Sequence, residues 1–294
     1  MKSSLSVVLP AYNEADSLKN EVEKIQSVLK KASIPFEFIV IDDGSTDATH
    51  KIAQSLGVKV IRHAKNRGVG AARKSGILAS QYELILTSDA DGTYPAQPIP
   101  GMLKALEEAG SDMVVGARVK ESGTAQWMRL PAKFLIRKLA SYLVRERIPD
   151  LNSGLRIFKK SVALKYFYLL PDSHSWESTI TLAFLANHHL VQYIPIDYFK
   201  RTGGKSSFAP IGDTYNYLSL VIRTIMYFNP LRIFLPLTAA LFFLGILKTV
   251  YDWIVYQNIG GLDVTIMLTG IVILVAGLLA DLIVILHKKS NPLS

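Results

Sequence analysis

The sequence predicts an α/β domain with a mainly parallel central sheet, joined by interfacial amphipathic helices to a C-terminal two-helix transmembrane hairpin. Two observations carry that expectation. Short runs rich in Val and Ile alternate with amphipathic stretches over the first part of the chain, and two long apolar runs lie close together at its end. Strand, helix, strand repetition builds a layered domain whose crossover helices cover a parallel sheet.

The strand-like runs are residues 6–9, 36–41, 59–61, 84–87 and 113–115, which read as buried parallel strands. Between them, residues 15–31 place Leu18, Val22, Ile25, Val28 and Leu29 at helical spacing, and 47–55 and 71–80 read as further crossover helices. The texture changes over 126–147, where Trp127, Phe134 and Tyr142 mix with Arg129, Lys133, Arg137 and Arg145. That stretch reads either as a domain helix with a solvated basic face or as a basic helix lying on anionic lipid.

Hydrophobic residues make up 49% of the 294, high enough to call for a search for membrane spans. Residues 231–250 and 264–286 each reach the roughly 20 apolar residues that a bilayer core requires. The expected organisation is a domain over 1–210, a juxtamembrane amphipathic segment over 211–230, a hairpin over 231–289 with spans near 231–251 and 263–286, and a tail over 290–294. Arg223 and Arg232 precede the first span, His287, Lys288 and Lys289 follow the second, and Lys248 alone is basic at the far end. The positive-inside rule then puts both termini and the α/β domain in the cytoplasm, and no signal peptide is expected before the first strand. Cysteine is absent, which excludes disulfides and thiolate chemistry. The formal charge of +9 suits phosphate-bearing or anionic-lipid partners; no basic stripe with interleaved aromatics points to nucleic acid.

The chemistry-bearing residues fall at predicted strand ends, the edge where open α/β sheets bind ligands. Pro10-Ala11-Tyr12-Asn13-Glu14 follows the first strand and Asp42-Asp43-Gly44-Ser45-Thr46-Asp47 the second. Asp42 and Asp43 suit ribose hydroxyls and base edges, while the following residues make a turn and cap a helix. Asn66-Arg67-Gly68-Val69-Gly70-Ala71-Ala72-Arg73 lacks the third glycine of a dinucleotide loop and leaves Arg73 for phosphate or base. Ser88-Asp89-Ala90-Asp91-Gly92 closes the fourth strand, and its carboxylates, one residue apart, suit a hard cation such as Mg²⁺ or Mn²⁺.

In this order and spacing, these motifs resemble the family 2 glycosyltransferases of the GT-A fold over roughly residues 4–205. With the hairpin added, the chain is similar to the polyprenyl-phosphate sugar transferases. The resemblance implies a metal-dependent, inverting hexosyltransferase with a UDP- or GDP-sugar donor, a polyprenyl phosphate acceptor and a bilayer partner. It assigns Pro10, Tyr12, Glu14, Ile41, Asp42, Asp43, Arg73 and Ala90 to the donor, and Asp89 and Asp91 to the metal. Gly116-Ala117-Arg118 resembles a step whose arginine meets phosphate, 150–156 resembles an Asp-x-x-Ser-Gly-Phe-Arg segment, and Arg201 and Lys205 resemble a basic segment that closes over the donor. Mannose synthases of the group often carry Gln as a metal ligand two residues after the second Asp; Thr93 stands here, so the mannose donor is not transferred.

A lipid phosphate is a charged nucleophile that needs positioning rather than a base. Arg118, Arg129, Lys133 and Arg137 are the acceptor candidates, because arginine and lysine neutralise phosphate and guanidinium groups offer it a bidentate fork. Glu177 distinguishes this reading from transfer to a glycan or protein hydroxyl, where a carboxylate near this position acts as base. A non-catalytic membrane scaffold is the alternative of another class, disfavoured by the intact Asp89/Asp91 pair. His63, His174, His188 and His189 show no metal spacing. A homo-oligomer built through the hairpin is a further expectation.

Overall fold

The computed structural model describes residues 3–121, 138, 140–142, 144–172, 175–199, 222 and 226–290. Arg129, Lys133, Arg137, His174, Arg201, Lys205, residues 211–221 and the tail 291–294 lie outside the described residues, and with them the basic stretch 126–137. The chain forms two compact units, 1–221 and 222–294.

The first unit is built on a seven-stranded sheet of order β3-β2-β1-β4-β6-β5-β7. The expected strands are present as β1 (Leu5–Ala11), β2 (Phe36–Asp42), β3 (Lys59–Arg62), β4 (Leu84–Thr87) and β5 (Met113–Glu121). Two more strands, β6 (Arg156–Lys159) and β7 (Val191–Tyr198), escaped the apolar-run criterion. β6 opens on a buried arginine, and β7 carries Pro195, tolerable because β7 is an edge strand. β6 inserts antiparallel between β4 and β5, so β5 meets a parallel neighbour only in β7. β3, expected buried, is the other edge and is exposed at both ends.

The helices are α1 (Leu18–Lys31), α2 (Thr49–Ser55), α3 (Val69–Ala79), α4 (Ile99–Glu108), α5 (Lys160–Lys165) and α6 (Trp176–Ala186). α1 buries Leu18, Val22, Ile25 and Leu29, the apolar stripe read from its spacing. α6 buries every residue from Trp176 to Leu185, so no polar face gives it a periodic signature. β1, β2 and β4 run parallel in the centre, and their carboxyl ends bring the loops after residues 11, 42 and 87 to one edge.

The second unit contains α7 (Leu231–Tyr256) and α8 (Gly261–Ser290), both long and apolar enough to cross a membrane. A left-handed Gln257 (φ 51°) ends α7. The helices pack closely where Gly277 meets Phe234: a Cβ there would lie 2.5 Å from the Phe234 Cβ. At the turn, Lys248 is ion-paired with Asp252 and lies 3.6 Å from Asp263, which accepts the Gly260 N–H at 2.8 Å.

Candidate active site

The loops after β1 and β2 are hydrogen-bonded to each other. Asn13 takes a left-handed conformation (φ 54°) that lets its N–H donate to Ser45 Oγ at 3.0 Å while its Oδ1 accepts from the Thr46 N–H at 2.9 Å. The Glu14 N–H donates to Thr49 Oγ1 at 2.8 Å. Beneath them, Pro10 and Ile41 are buried partners across the β1–β2 ladder. Tyr12, just beyond the end of β1, is left 43% exposed beside the loops.

Asp42 and Asp43 are both buried. Asp42 Oδ1 accepts from the Ser45 N–H at 2.9 Å, and its Oδ2 lies 3.1 Å from His50 Nδ1 and 3.2 Å from Arg62 Nε. Asp43 accepts the N–H groups of Arg67 (3.0 Å) and Gly68 (2.8 Å) and sits 2.6 Å from His63 Nδ1. His63 Nε2 in turn lies 2.9 Å from Ser75 Oγ on α3. Asp43 thereby fixes the loop that launches α3. Gly44 (φ 76°) allows this approach, since a Cβ would lie 2.5 Å from the Lys65 carbonyl carbon.

At the end of β4, Asp91 Oδ1 accepts from the Thr93 hydroxyl (2.7 Å) and N–H (3.1 Å). Thr93 thus orients the second carboxylate. Asp89 Oδ1 accepts from Arg73 Nη2 at 2.6 Å, and Arg73 Nη1 donates to Glu177. Arg73 is wholly buried, with its guanidinium 5.3 Å from the Trp176 ring centroid. Burial raises the Asp89 carboxyl above its ordinary range, with Arg73 opposing and Glu177 adding to the rise. Asp89 also packs on Gly154, where a Cβ would stand 2.7 Å from Oδ2. Gly154 is pinned by its N–H to Tyr94 Oη at 2.7 Å and by its carbonyl, which accepts from Thr87 Oγ1 at 3.0 Å. Arg156, fully buried, donates to the Ser153 carbonyl, the Glu177 carbonyl (2.9 Å) and Thr181 Oγ1 (3.0 Å), bracing the same loop.

Arg118 forms a bidentate pair with Asp150, Nε to Oδ2 at 2.6 Å and Nη2 to Oδ1 at 2.9 Å, and lies over the Tyr198 ring. Burial alone would raise the Asp150 carboxyl; Arg118 outweighs it and holds the group below the usual carboxylate range. Glu21, on the apolar face of α1, is buried and paired with Lys24 at 2.6 Å, and burial raises its carboxyl. Lys24 also donates to the Tyr94 carbonyl at 3.0 Å. Sequence reasoning missed Glu21 and Tyr94; a glutamate interrupting the Leu18–Leu29 stripe was the available signal. Among the described residues no group of three or more His, Cys, Asp or Glu gathers as a metal cage. The Asp89/Asp91 oxygens nevertheless fit a hard divalent cation, which ordinarily takes one or two carboxylates and completes its shell with water and substrate phosphates.

Residues 6–167, more than half the chain, match the family described as glycosyl transferase family 2. The chain belongs to that family. Residues 229–286 of this family 2 glycosyltransferase match the GtrB C-terminal hairpin. A polyprenol monophosphomannose synthase of Mycolicibacterium smegmatis is 28% identical over 68% of this chain and 79% of its own length. A dodecaprenyl-phosphate galacturonate synthase of Rhizobium johnstonii is 25% identical over 95% of this chain and 87% of its own. Among solved structures, the glucosyl-3-phosphoglycerate synthase of Mycobacterium tuberculosis with Mn²⁺, UDP and glucosyl-3-phosphoglycerate superposes with a TM-score of 0.59 at 18% identity, over 76% of this chain and 79% of that one, sharing the fold. The transferase therefore has the GT-A fold with two apolar C-terminal helices. Of the residues expected to serve it, the structure gathers Tyr12, Glu14, Asp42, Asp43, Arg73, Asp89, Ala90, Asp91 and Arg118 in the loops of this edge and the strands and helix beside them.

Proposed function

We propose that this transferase moves a sugar from a nucleoside-diphosphate sugar onto a polyprenyl phosphate at the cytoplasmic face of a membrane. The observation that carries the reading is the pairing, in one chain, of a family 2 domain with a GtrB-type hairpin, alignable over 95% of its length with a dodecaprenyl-phosphate galacturonate synthase. The placement of Glu177 supports it. A hydroxyl acceptor needs a base, yet this carboxylate is buried and ion-paired with Arg73. A phosphate acceptor arrives already charged, and its oxygen attacks the anomeric carbon as the nucleoside diphosphate leaves from the opposite face.

Tyr12 offers the base a flat apolar surface, and the loops tied by Asp42 and Asp43 hold that surface in place. Asp89 and Asp91 would hold Mg²⁺ or Mn²⁺, which would offset charge on the departing diphosphate. Thr93 fixes the orientation of Asp91, and Asp150 holds the Nε–Nη2 edge of Arg118 and fixes its plane, so phosphate would meet the guanidinium through its other N–H groups. Residues 222–294 anchor the transferase, and the excess of Arg223, Arg232, His287, Lys288 and Lys289 over Lys248 puts both hairpin ends on the cytoplasmic side. Incubating the full chain in detergent with polyprenyl phosphate and a panel of UDP- and GDP-sugars, with Mg²⁺, Mn²⁺ or chelator, tests the proposal. The expected product is a metal-dependent polyprenyl-phosphate sugar from one donor. Transfer to a glycan or peptide hydroxyl with none to the lipid phosphate would overturn it.

A further inference from the structure

Three elements distant in sequence meet in one ion chain centred on a buried arginine: Glu177 on α6, Arg73 on α3 and Asp89 beyond β4. Arg73 has no exposed surface, so it has no open face for a nucleotide. The side chain of Asp89 is 33% exposed and that of Glu177 10%, so the carboxylate that meets solvent is the one in the candidate metal pair. Charge balance gives the arrangement its meaning. Arg73 paired with Asp89 alone would cancel half the charge that Asp89 and Asp91 offer a divalent cation. With Glu177 as its own counter-ion, the Arg73–Glu177 unit is neutral. It can then donate an orienting hydrogen bond to Asp89 Oδ1 without itself adding net positive charge beside the two aspartates.

We propose that Glu177 is a positioning residue that neutralises Arg73, so that Arg73 orients Asp89 for a divalent cation without competing with it. This rests on the reading of Asp89 and Asp91 as the cation site. It makes Arg73 a support for the metal pair, where the sequence motif offered it to the donor.

The experiment is Mn²⁺ binding to the full chain in detergent, followed by electron paramagnetic resonance with Mn²⁺ alone and with UDP or GDP, beside steady-state transfer. Glu177→Gln leaves Arg73 with Asp89 as its counter-ion, and Mn²⁺ is expected to bind about tenfold more weakly, the range typical of losing a partner behind a metal ligand. Saturating Mn²⁺ should restore turnover to within about tenfold, so the defect lies in the metal requirement rather than in kcat. The sharper test is Arg73→Met/Glu177→Gln, which deletes both charges. It should bind Mn²⁺ more tightly than Glu177→Gln alone, because the stranded cation is gone. This double variant also keeps the test decisive where the single variant fails to fold: folding with Mn²⁺ affinity within about threefold of wild type supports the proposal, and a loss of about tenfold or more overturns it. Unchanged Mn²⁺ affinity in folded Glu177→Gln overturns it while leaving the cation site intact. So does a double variant that binds no better than the single one, or a kcat loss of several orders at saturating Mn²⁺. Absence of Mn²⁺ binding in the wild type, with and without nucleotide, overturns the cation site and this proposal together.

Discussion

Replacing Gly154 by alanine tests the site through a single methyl group. The Gly154 backbone is held on both sides, by Tyr94 Oη at 2.7 Å and Thr87 Oγ1 at 3.0 Å, so it cannot easily retreat. Its φ lies outside the left-handed range, so alanine brings no backbone strain of its own. The new Cβ would lie 2.7 Å from Asp89 Oδ2 and 2.9 Å from Oδ1, 0.7 Å short of the 3.4 Å at which ordinary contact begins. The Asp89 carboxylate must therefore shift by about that amount, away from the position where Arg73 holds it at 2.6 Å. A misplacement of order 1 Å in a catalytic group costs about 10²-fold in rate, so transfer by Gly154→Ala should fall by about that factor. The fold should lose only about 1–3 kcal/mol, the usual cost of one extra methyl in a packed site. Transfer assayed at saturating donor and Mn²⁺, with thermal unfolding in parallel, separates the two effects. Gly101→Ala is the control: it lies in α4 with nothing within 4 Å, and should stabilise by about 0.5–1 kcal/mol without touching transfer. Wild-type turnover in Gly154→Ala would refute the placement of Asp89 at the reacting centre.

Other expectations follow from the same contacts. Gly44→Ala meets both a left-handed φ of 76° and the Lys65 backbone at 2.5 Å, and should destabilise by at least about 2 kcal/mol in thermal unfolding of the full chain. Thr93→Val removes the hydroxyl from Asp91 and should weaken Mn²⁺ binding by about tenfold, while Thr93→Ser restores it. The folded-state carboxyl of Asp150 is depressed by Arg118, so its stabilising contribution is complete above its unfolded value of about 3.9 and is lost as pH falls through the lower folded value. Asp150→Asn should therefore cost stability at pH 7 and progressively less below pH 4, as read from unfolding across pH.

The sequence alone determined what depends on local pattern. Period and run length marked β1 to β5, α1 to α3 and the two apolar helices, and turn chemistry placed the loops after residues 11, 42 and 87 at one sheet edge. It also showed which residue types stood there, enough to suggest the family. Glu177 stood out as a carboxylate, but its partner did not. Arg73 and Glu177 are 104 positions apart and Arg118 and Asp150 are 32 apart, and no local periodicity couples residues at such range. α6 is buried all round and β6 opens on Arg156, so neither displays the polar-apolar alternation that exposes an element to pattern reading. Their position is decided by what packs against them. Only the tertiary structure showed that Asp43 braces the α3 loop, that Thr93 serves Asp91, and that Arg73 is sealed between two carboxylates. A charge's role is set by the partners and the solvent around it, and both are products of the folded chain.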